Sequence, residues 1–211
     1  MIDRLRSRRS RRPRSRLLPG RRVAPPNPVL GALGRADQAA LRFLRTRGHW
    51  EPLETVMKGL GVAGEFAAAW TAIGLIGASV DPRRRSAWLT GAGAGPAAIA
   101  INFAVKVTVG RQRPLIEEHP PLARAPTKLS FPSAHATSSL AAATAMSRIS
   151  PGARLPLYSI AALICLSRPY LGMHYPSDVL AGAALGAVLG RAVPGLDGDR
   201  AARPDLARRS P

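Results

Sequence analysis

Three short stretches hold most of the residues able to do chemistry: KVTVGRQRP (106–114), SFPSAHATSS (130–139) and SRPYLGMHYPSD (167–178). They supply the cations Lys106, Arg113 and Arg168, the imidazoles His135 and His174, the Ser133 hydroxyl and the Asp178 carboxylate. Three cations in one site repel each other unless an anion is normally present, and a phosphoryl group with several acceptor oxygens suits them. Pro132 and Pro176 fit first-turn positions of the helices they open. Backbone N–H groups at those turns would help hold the anion, with Ser133 adding a hydroxyl. One histidine can attack phosphorus while the other handles the leaving-group proton; residue chemistry alone does not decide which. Asp178, four residues beyond His174, is placed to accept from the far imidazole nitrogen and support the positive charge that develops on attack. No metal and no cofactor are expected, because the cations would oppose a divalent ion and the carboxylates are too few.

Such residues need helix ends that converge. The chain has 211 residues, enough for one compact domain and little more. Its 46% hydrophobic content is ordinary, but charge is concentrated at the ends and in connectors, leaving five apolar segments near 55–80, 86–108, 133–149, 155–171 and 175–193. The last three are short for a span of about 20 residues. Five in succession nevertheless predict an all-α fold, a polytopic membrane bundle of about five spanning helices. Gly182, Gly186 and Gly190, four apart, let helices approach closely in lipid. The run Gly91, Gly93, Gly95 lacks the preceding strand of a dinucleotide fold and reads as helix packing. The first cluster ends the second segment, the next opens the third, and the last joins the fourth to the fifth. Even numbers of crossings separate them, so all three meet on one side. Glu65, inside the first segment, is costly there unless satisfied by packing or a salt bridge.

Outside the core, residues 1–28 read as a disordered Arg/Pro-rich tail and 194–211 as a second tail. Residues 29–49 read as an amphipathic helix lying in the membrane surface, with Leu33, Leu41 and Leu44 interleaved with Arg35, Asp37, Arg42 and Arg45. The core domain is 50–193. A net charge of +19, with ten arginines in residues 1–22, invites a nucleic-acid reading. Anionic lipid headgroups attract such a block equally well, so a solvated basic flank of a membrane protein is expected and no specific nucleic-acid partner. The single cysteine, Cys165, excludes an internal disulfide and reads as a small hydrophobe. The apolar run after the basic start is too short and too interrupted for a cleavable signal peptide. Oligomeric state stays open.

The three clusters resemble the type 2 phosphatidic acid phosphatase family, whose pattern is K-x6-RP, PSGH and SR-x5-H-x3-D. Lys106 with Arg113-Pro114, Pro132-Ser133-Ala134-His135, and Ser167-Arg168, His174 and Asp178 fill it in order. Ala134 departs, standing where the family usually has glycine. The resemblance implies a metal-independent phosphatase acting through a phosphohistidine. In it His174 is the nucleophile, Asp178 its partner, and His135 the acid for the departing oxygen and then the base for water. Lys106, Arg113, Ser133, the Ala134 N–H and Arg168 bind the phosphoryl oxygens. Arg111 lies outside the pattern and reads as a headgroup contact or surface charge, and Ser167 as a residue shaping the turn. A site at a membrane rim suits a lipid-linked phosphate. The composition and YPSDVLAG resemble actinobacterial members, some of which act on decaprenylphosphoryl-5-phosphoribose in arabinan precursor synthesis. Undecaprenyl diphosphate, phosphatidic acid and phosphatidylglycerol phosphate are alternative substrates. A lipid phosphotransferase, a haloperoxidase or a nonenzymatic basic binding protein are alternative functions. The implied location is the inner membrane, multi-pass, with the catalytic face leaning to the external side.

Overall fold

The computed structural model describes residues 28–116 and 118–196. The tails foreseen at 1–28 and 194–211 lie almost entirely outside the described residues. Seven α-helices among the described residues account for the fold: α1 (Pro28–Thr46), α2 (Glu51–Ala63), α3 (Ala68–Val80), α4 (Arg85–Val109), α5 (Ala134–Ile149), α6 (Arg154–Tyr170) and α7 (Pro176–Ala192). Among the described residues, β-structure is limited to one antiparallel bridge between Gln112 and Leu129.

Segments two to five of the sequence become α4 to α7 with nearly the expected ends. α5 is the hub. Its Ala, Ser and Thr side chains leave no wide face, and it is buried along most of its length between α4, α6 and α7. The glycine ladder explains the tightest of these contacts. A Cβ on Gly182, Gly186 or Gly190 would run into the carbonyl oxygens of Ser133, Thr137 and Ala141, so α7 rides directly on the α5 backbone. Trp70 is sealed against the other side of α5 and donates from Nε1 to Ser139 Oγ at 2.9 Å. Truncating such a side chain costs roughly 3–5 kcal/mol. Larger apolar residues, among them Ile76, Phe103, Leu166 and Leu180, point outward. Small residues inside and large apolar residues outside are the pattern of helices that pack in lipid.

Two expectations are corrected. The first apolar segment is not one straight helix: α2 stops at Ala63, and the chain bends by 58° before α3. Phe66 and Ala67 take φ of 51° and 61°, a left-handed conformation uncommon for residues with a side chain. Packing supplies the reason. Gly64 sits so close to α5 and α6 that a Cβ there would lie 2.8 Å from His135 Cδ2 and from Ile164 Cγ2. The end of α2 is thereby pressed onto the functional residues.

α1 is amphipathic, but its buried stripe differs from the one expected. Asp37, Leu41 and Arg45, spaced by four, face inward, while Leu33 and Phe43 are 61% and 62% exposed. Arg45 donates to the carbonyls of Tyr170 (3.0 Å) and Pro120 (2.8 Å), which draws the polar stripe in. Only one helix, Pro82–Val109, is by itself long and apolar enough among the described residues to cross a bilayer, and the bent α2–α3 pair passes that test together.

Candidate functional site

A cavity of about 570 Å³ opens at one end of the bundle, and Lys106, Arg113, Ala134, His135, Arg168 and His174 all line it. The three sequence clusters therefore converge. Each arrives from a helix end, where backbone groups are left over to hold side chains.

Lys106 is in the last turn of α4, which Gly110 closes in a left-handed conformation (φ 67°). Its Nζ donates to the carbonyls of Pro132 (2.9 Å), Ser130 (3.3 Å) and Leu129 (3.4 Å). One turn earlier on the same face, Asn102 donates to Thr137 Oγ1 (2.9 Å) and Pro132 O (3.3 Å). Together they pin the segment that starts α5. Asn102 was overlooked in the sequence, although a lone amide four residues before Lys106 in an apolar helix was its signal.

Pro132 is not in the first turn of α5. It precedes the N-cap Ser133, and its carbonyl is taken by Lys106 and Asn102. Pro176 does occupy the first position of α7. Ser133 is fully buried; its N–H donates to Asp178 O at 2.9 Å, and its Oγ has no hydrogen-bond partner. Ala134 opens α5, at a turn whose N–H groups have no intrahelical acceptor. Arg168, in the last turn of α6, is buried with Nε unpartnered. Ser167 Oγ turns back to Ile164 O at 2.7 Å, shaping its own helix turn as expected.

His174 lies in the loop between α6 and α7 and is 2% exposed. Arg113 Nη1 donates to its Nε2 at 3.1 Å and to Met173 O at 2.6 Å. A guanidinium only donates, so Nε2 presents its lone pair and the proton sits on Nδ1. Nδ1 is 3.6 Å from Asp178 Oδ2, a close electrostatic contact beyond hydrogen-bonding range. The direct hydrogen bond expected from the sequence is thus not formed. Asp178 is already engaged: Oδ2 accepts the Tyr175 N–H at 2.9 Å and Oδ1 accepts Arg111 at 2.8 Å. Burial pushes the His174 imidazole down to about 4; the nearby Asp178 carboxylate opposes this, and Arg113 and Arg168 add to it. His135 has the complementary arrangement. Its Nε2 lies 2.9 Å from Gly61 O at the end of α2, and a carbonyl only accepts. The proton is therefore on Nε2, leaving Nδ1 as the basic nitrogen.

Two further expectations change. Arg111 is no surface charge: it bridges Asp178, Ser177 and Asp37, with its guanidinium 4.1 Å above the Tyr175 ring. Its spacing was the available clue, since residues two apart with Arg113 in an extended segment can serve one locus from two sides. Glu65 makes no ion pair or hydrogen bond among the described residues; the break after Gly64 exposes it, and it lines the cavity. Gly61 and Gly64 were also overlooked. A Cβ on Gly61 would come within 2.9 Å of Arg168 Nη1, so this glycine pair lets α2 touch both His135 and Arg168.

This geometry has close relatives. The pattern of the PAP2 superfamily matches residues 86–200. Decaprenylphosphoryl-5-phosphoribose phosphatase of Mycobacterium tuberculosis is 47% identical over 147 residues, covering 68% of this chain and 80% of that protein. The protein of the same name from Mycolicibacterium smegmatis is 41% identical over 132 residues, covering 61% and 70%. Among solved structures, a transmembrane PAP2-type phosphatidylglycerolphosphate phosphatase from Bacillus subtilis superposes with a TM-score of 0.65 at 26% identity, covering 79% of this chain and 86% of that one. Aquifex aeolicus LpxE shares the fold, with a TM-score of 0.58 at 20% identity, covering 73% and 92%. With its helical order, its cation-lined cavity and its three motifs all accounted for, the chain belongs to the PAP2 superfamily of phosphatases.

Proposed function

We propose that this phosphatase hydrolyses the phosphomonoester of a polyprenyl-linked sugar phosphate of the decaprenylphosphoryl-5-phosphoribose type, through a phosphohistidine and without a metal. One observation carries the reading: Arg113 donates to His174 Nε2 and so holds it as the unprotonated nitrogen, in a cavity that Lys106, Arg168 and His135 also line. Arg113, Arg168, Lys106, Ser133 Oγ and the Ala134 N–H bind the phosphoryl oxygens and stabilise the charge of the transition state. Nε2 attacks phosphorus in line with the departing sugar oxygen, and Asp178 supports the charge that forms on the imidazole. His135, anchored through Nε2 to Gly61, takes up a second proton on Nδ1 from the phosphate monoanion as it binds, and gives that proton to the departing oxygen. It then takes one from the water that cleaves the P–N bond, releasing phosphate and restoring His174.

Headgroup and location follow from the surroundings. The cavity is far larger than a phosphate, and Glu65 on its wall is an acceptor-only group. A carboxylate beside an anion site is unfavourable unless a ligand brings donors to it, and sugar hydroxyls do. The names of the mycobacterial relatives support that substrate class. The outward apolar residues and the transmembrane relative support an inner-membrane location with about five crossings, the α2–α3 pair forming one broken span. Arg83, Arg84, Arg85, Arg148 and Arg154 cluster away from the cavity, which favours a cytoplasmic far end and an external catalytic face.

The test is phosphate release in detergent with EDTA present, from the phosphoribosyl polyprenyl lipid, undecaprenyl diphosphate, phosphatidic acid and phosphatidylglycerol phosphate. The first is expected to turn over fastest, with near-complete loss in folded His174→Ala and an acid-labile, alkali-stable phosphoprotein in the wild type. Full activity in His174→Ala would remove the nucleophile. A preference for phosphatidylglycerol phosphate would remove the sugar-lipid assignment and leave the chemistry standing.

A further inference from the structure

Behind His174 the carboxylate does not stand alone. Arg111 divides its guanidinium between two acids: Nη1 reaches Asp178 Oδ1 at 2.8 Å, and Nη2 reaches Asp37 Oδ2 at 2.7 Å. Ser177 closes the group. Its N–H donates to Asp37 Oδ1 at 2.9 Å, its hydroxyl pairs with Asp37 Oδ2, and its Oγ accepts from Arg111 at 2.7 Å. Asp37 belongs to α1, 140 residues away in the chain, and it does not line the cavity. It makes no direct contact with a bound phosphoryl group from there.

We infer that Asp37 is a positioning residue for the reaction, acting through Arg111 and Ser177 to fix Asp178 and so the His174 imidazole. The inference rests on the reading of His174 as nucleophile. Two carboxylates around one guanidinium leave a single net negative charge behind His174; one carboxylate leaves none. That remaining charge stabilises the positive imidazole ring formed when Nε2 bonds to phosphorus. It also keeps Arg111 from settling on Asp178 with both nitrogens, which would withdraw Asp178 from Nδ1. α1 is well anchored for the role. Eight residues on from Asp37, Arg45 grips the carbonyls of Tyr170 and Pro120, next to the loop that carries His174, and Leu41 is sealed between the two contacts.

The charged groups around His174 are Arg113, Arg168, His135 and Asp178, and those around Asp178 add Arg111 and Lys106. Asp37→Asn keeps the shape and an acceptor for the Ser177 N–H but removes the charge. The full chain in detergent is expected to lose about ten-fold in kcat with KM within about two-fold. The acid limb of kcat/KM moves to lower pH, because the site becomes more positive and resists imidazolium. Asp37→Glu restores part of kcat and returns the limb toward wild type. Leu41→Ala, on the same buried face without a polar contact, lowers Tm and leaves the limb in place. A folded Asp37→Asn protein with wild-type kcat and limb overturns the inference, as does a kcat loss with an unmoved limb. His174→Ala in the same series separates the two readings. Activity retained there sinks the nucleophile, whereas an inactive His174→Ala beside an unaffected Asp37→Asn sinks only the role of Asp37.

Discussion

The two ends of the bundle use arginine in opposite ways. At the far end, Arg84 pairs with Asp81 at 2.6 Å and donates to Ile149 O, and Arg148 donates to the carbonyls of Gly190, Arg191 and Val193 where α7 stops. There these two cations are cancelled by a carboxylate or by the negative end of a helix, while Arg83, Arg85 and Arg154 are exposed to solvent. At the cavity end, Lys106 and Arg113 are oriented by carbonyls, and among the described residues neither they nor Arg168 pair with a carboxylate. Carbonyls fix direction without removing net charge. Within the site the same contrast recurs two residues apart. Arg111 is paired with two acids, whereas Arg113 keeps its charge and faces the cavity. Net charge left uncancelled at the cavity wall, more than the presence of arginine, marks the anion site.

The comparison breaks most visibly at Arg113. Arg113→Met removes both the donor to His174 Nε2 and a cation facing phosphate, so kcat/KM for phosphate release should fall about 10²- to 10³-fold. A loss under about five-fold would mean that the uncancelled charge is not what the reaction uses. Next in size is Gly64→Ala. The new methyl would sit 2.8 Å from His135 Cδ2, and the α2 contact must open to admit it. Displacing a group that handles protons by such an amount is expected to lower kcat about 10- to 10²-fold. Measured single-turnover rates with unchanged burst amplitude would show the loss to be in chemistry.

How far the sequence reveals this arrangement depends on how each residue works. His135, His174, Lys106, Arg113 and Arg168 are legible because their spacing along helix ends is the constraint itself. The ends of α4 to α7 are legible because charge and Pro/Gly punctuate them. The break between α2 and α3 is not, because Gly64 ends the helix through contacts with His135 and Ile164, far off in sequence. The fate of Asp178 is hidden for a similar reason. Spacing brings it beside His174, yet its oxygens are claimed by the Tyr175 N–H and by Arg111, whose other nitrogen answers to Asp37 on α1. α1 misleads because its helical period is plain while the buried stripe is chosen by polar partners. Leu33 is left out and Asp37 is taken in.

A smaller effect lies in the pH profile. With the His174 imidazole pushed down to about 4 by burial, opposed by Asp178 and reinforced by Arg113 and Arg168, the neutral nucleophile persists through mildly acidic pH. A depressed value means that activity governed by this group is present above the folded value and is lost as pH falls through about 4. The acid limb of kcat/KM in the free enzyme is therefore expected below the ordinary imidazole value of about 6.5. In Arg113→Met, whose residual rate is measurable, the limb should move up, because one repelling cation is gone. A limb at 6.5 in both proteins would mean that His174 is solvated and its cations are screened.

The smallest expected effect is the sharpest control on the contrast between the ends. Arg84→Gln deletes a guanidinium at the far end of α4, a helix of 25 residues and thus about 37 Å long. That distance is several Debye lengths at physiological ionic strength, roughly 8 Å each. The deletion leaves Asp81 unpaired, a change of one charge, but across that distance and at a partly exposed position little of its field reaches the cavity. Activity should stay within about two-fold, while Tm falls by no more than about 4 °C from the lost contact to Ile149 O and the half-exposed ion pair. If Arg84→Gln instead reduced kcat/KM as strongly as Arg113→Met, the two ends would be coupled through helix packing along α4. Charge cancellation would then not be what distinguishes one arginine from the other.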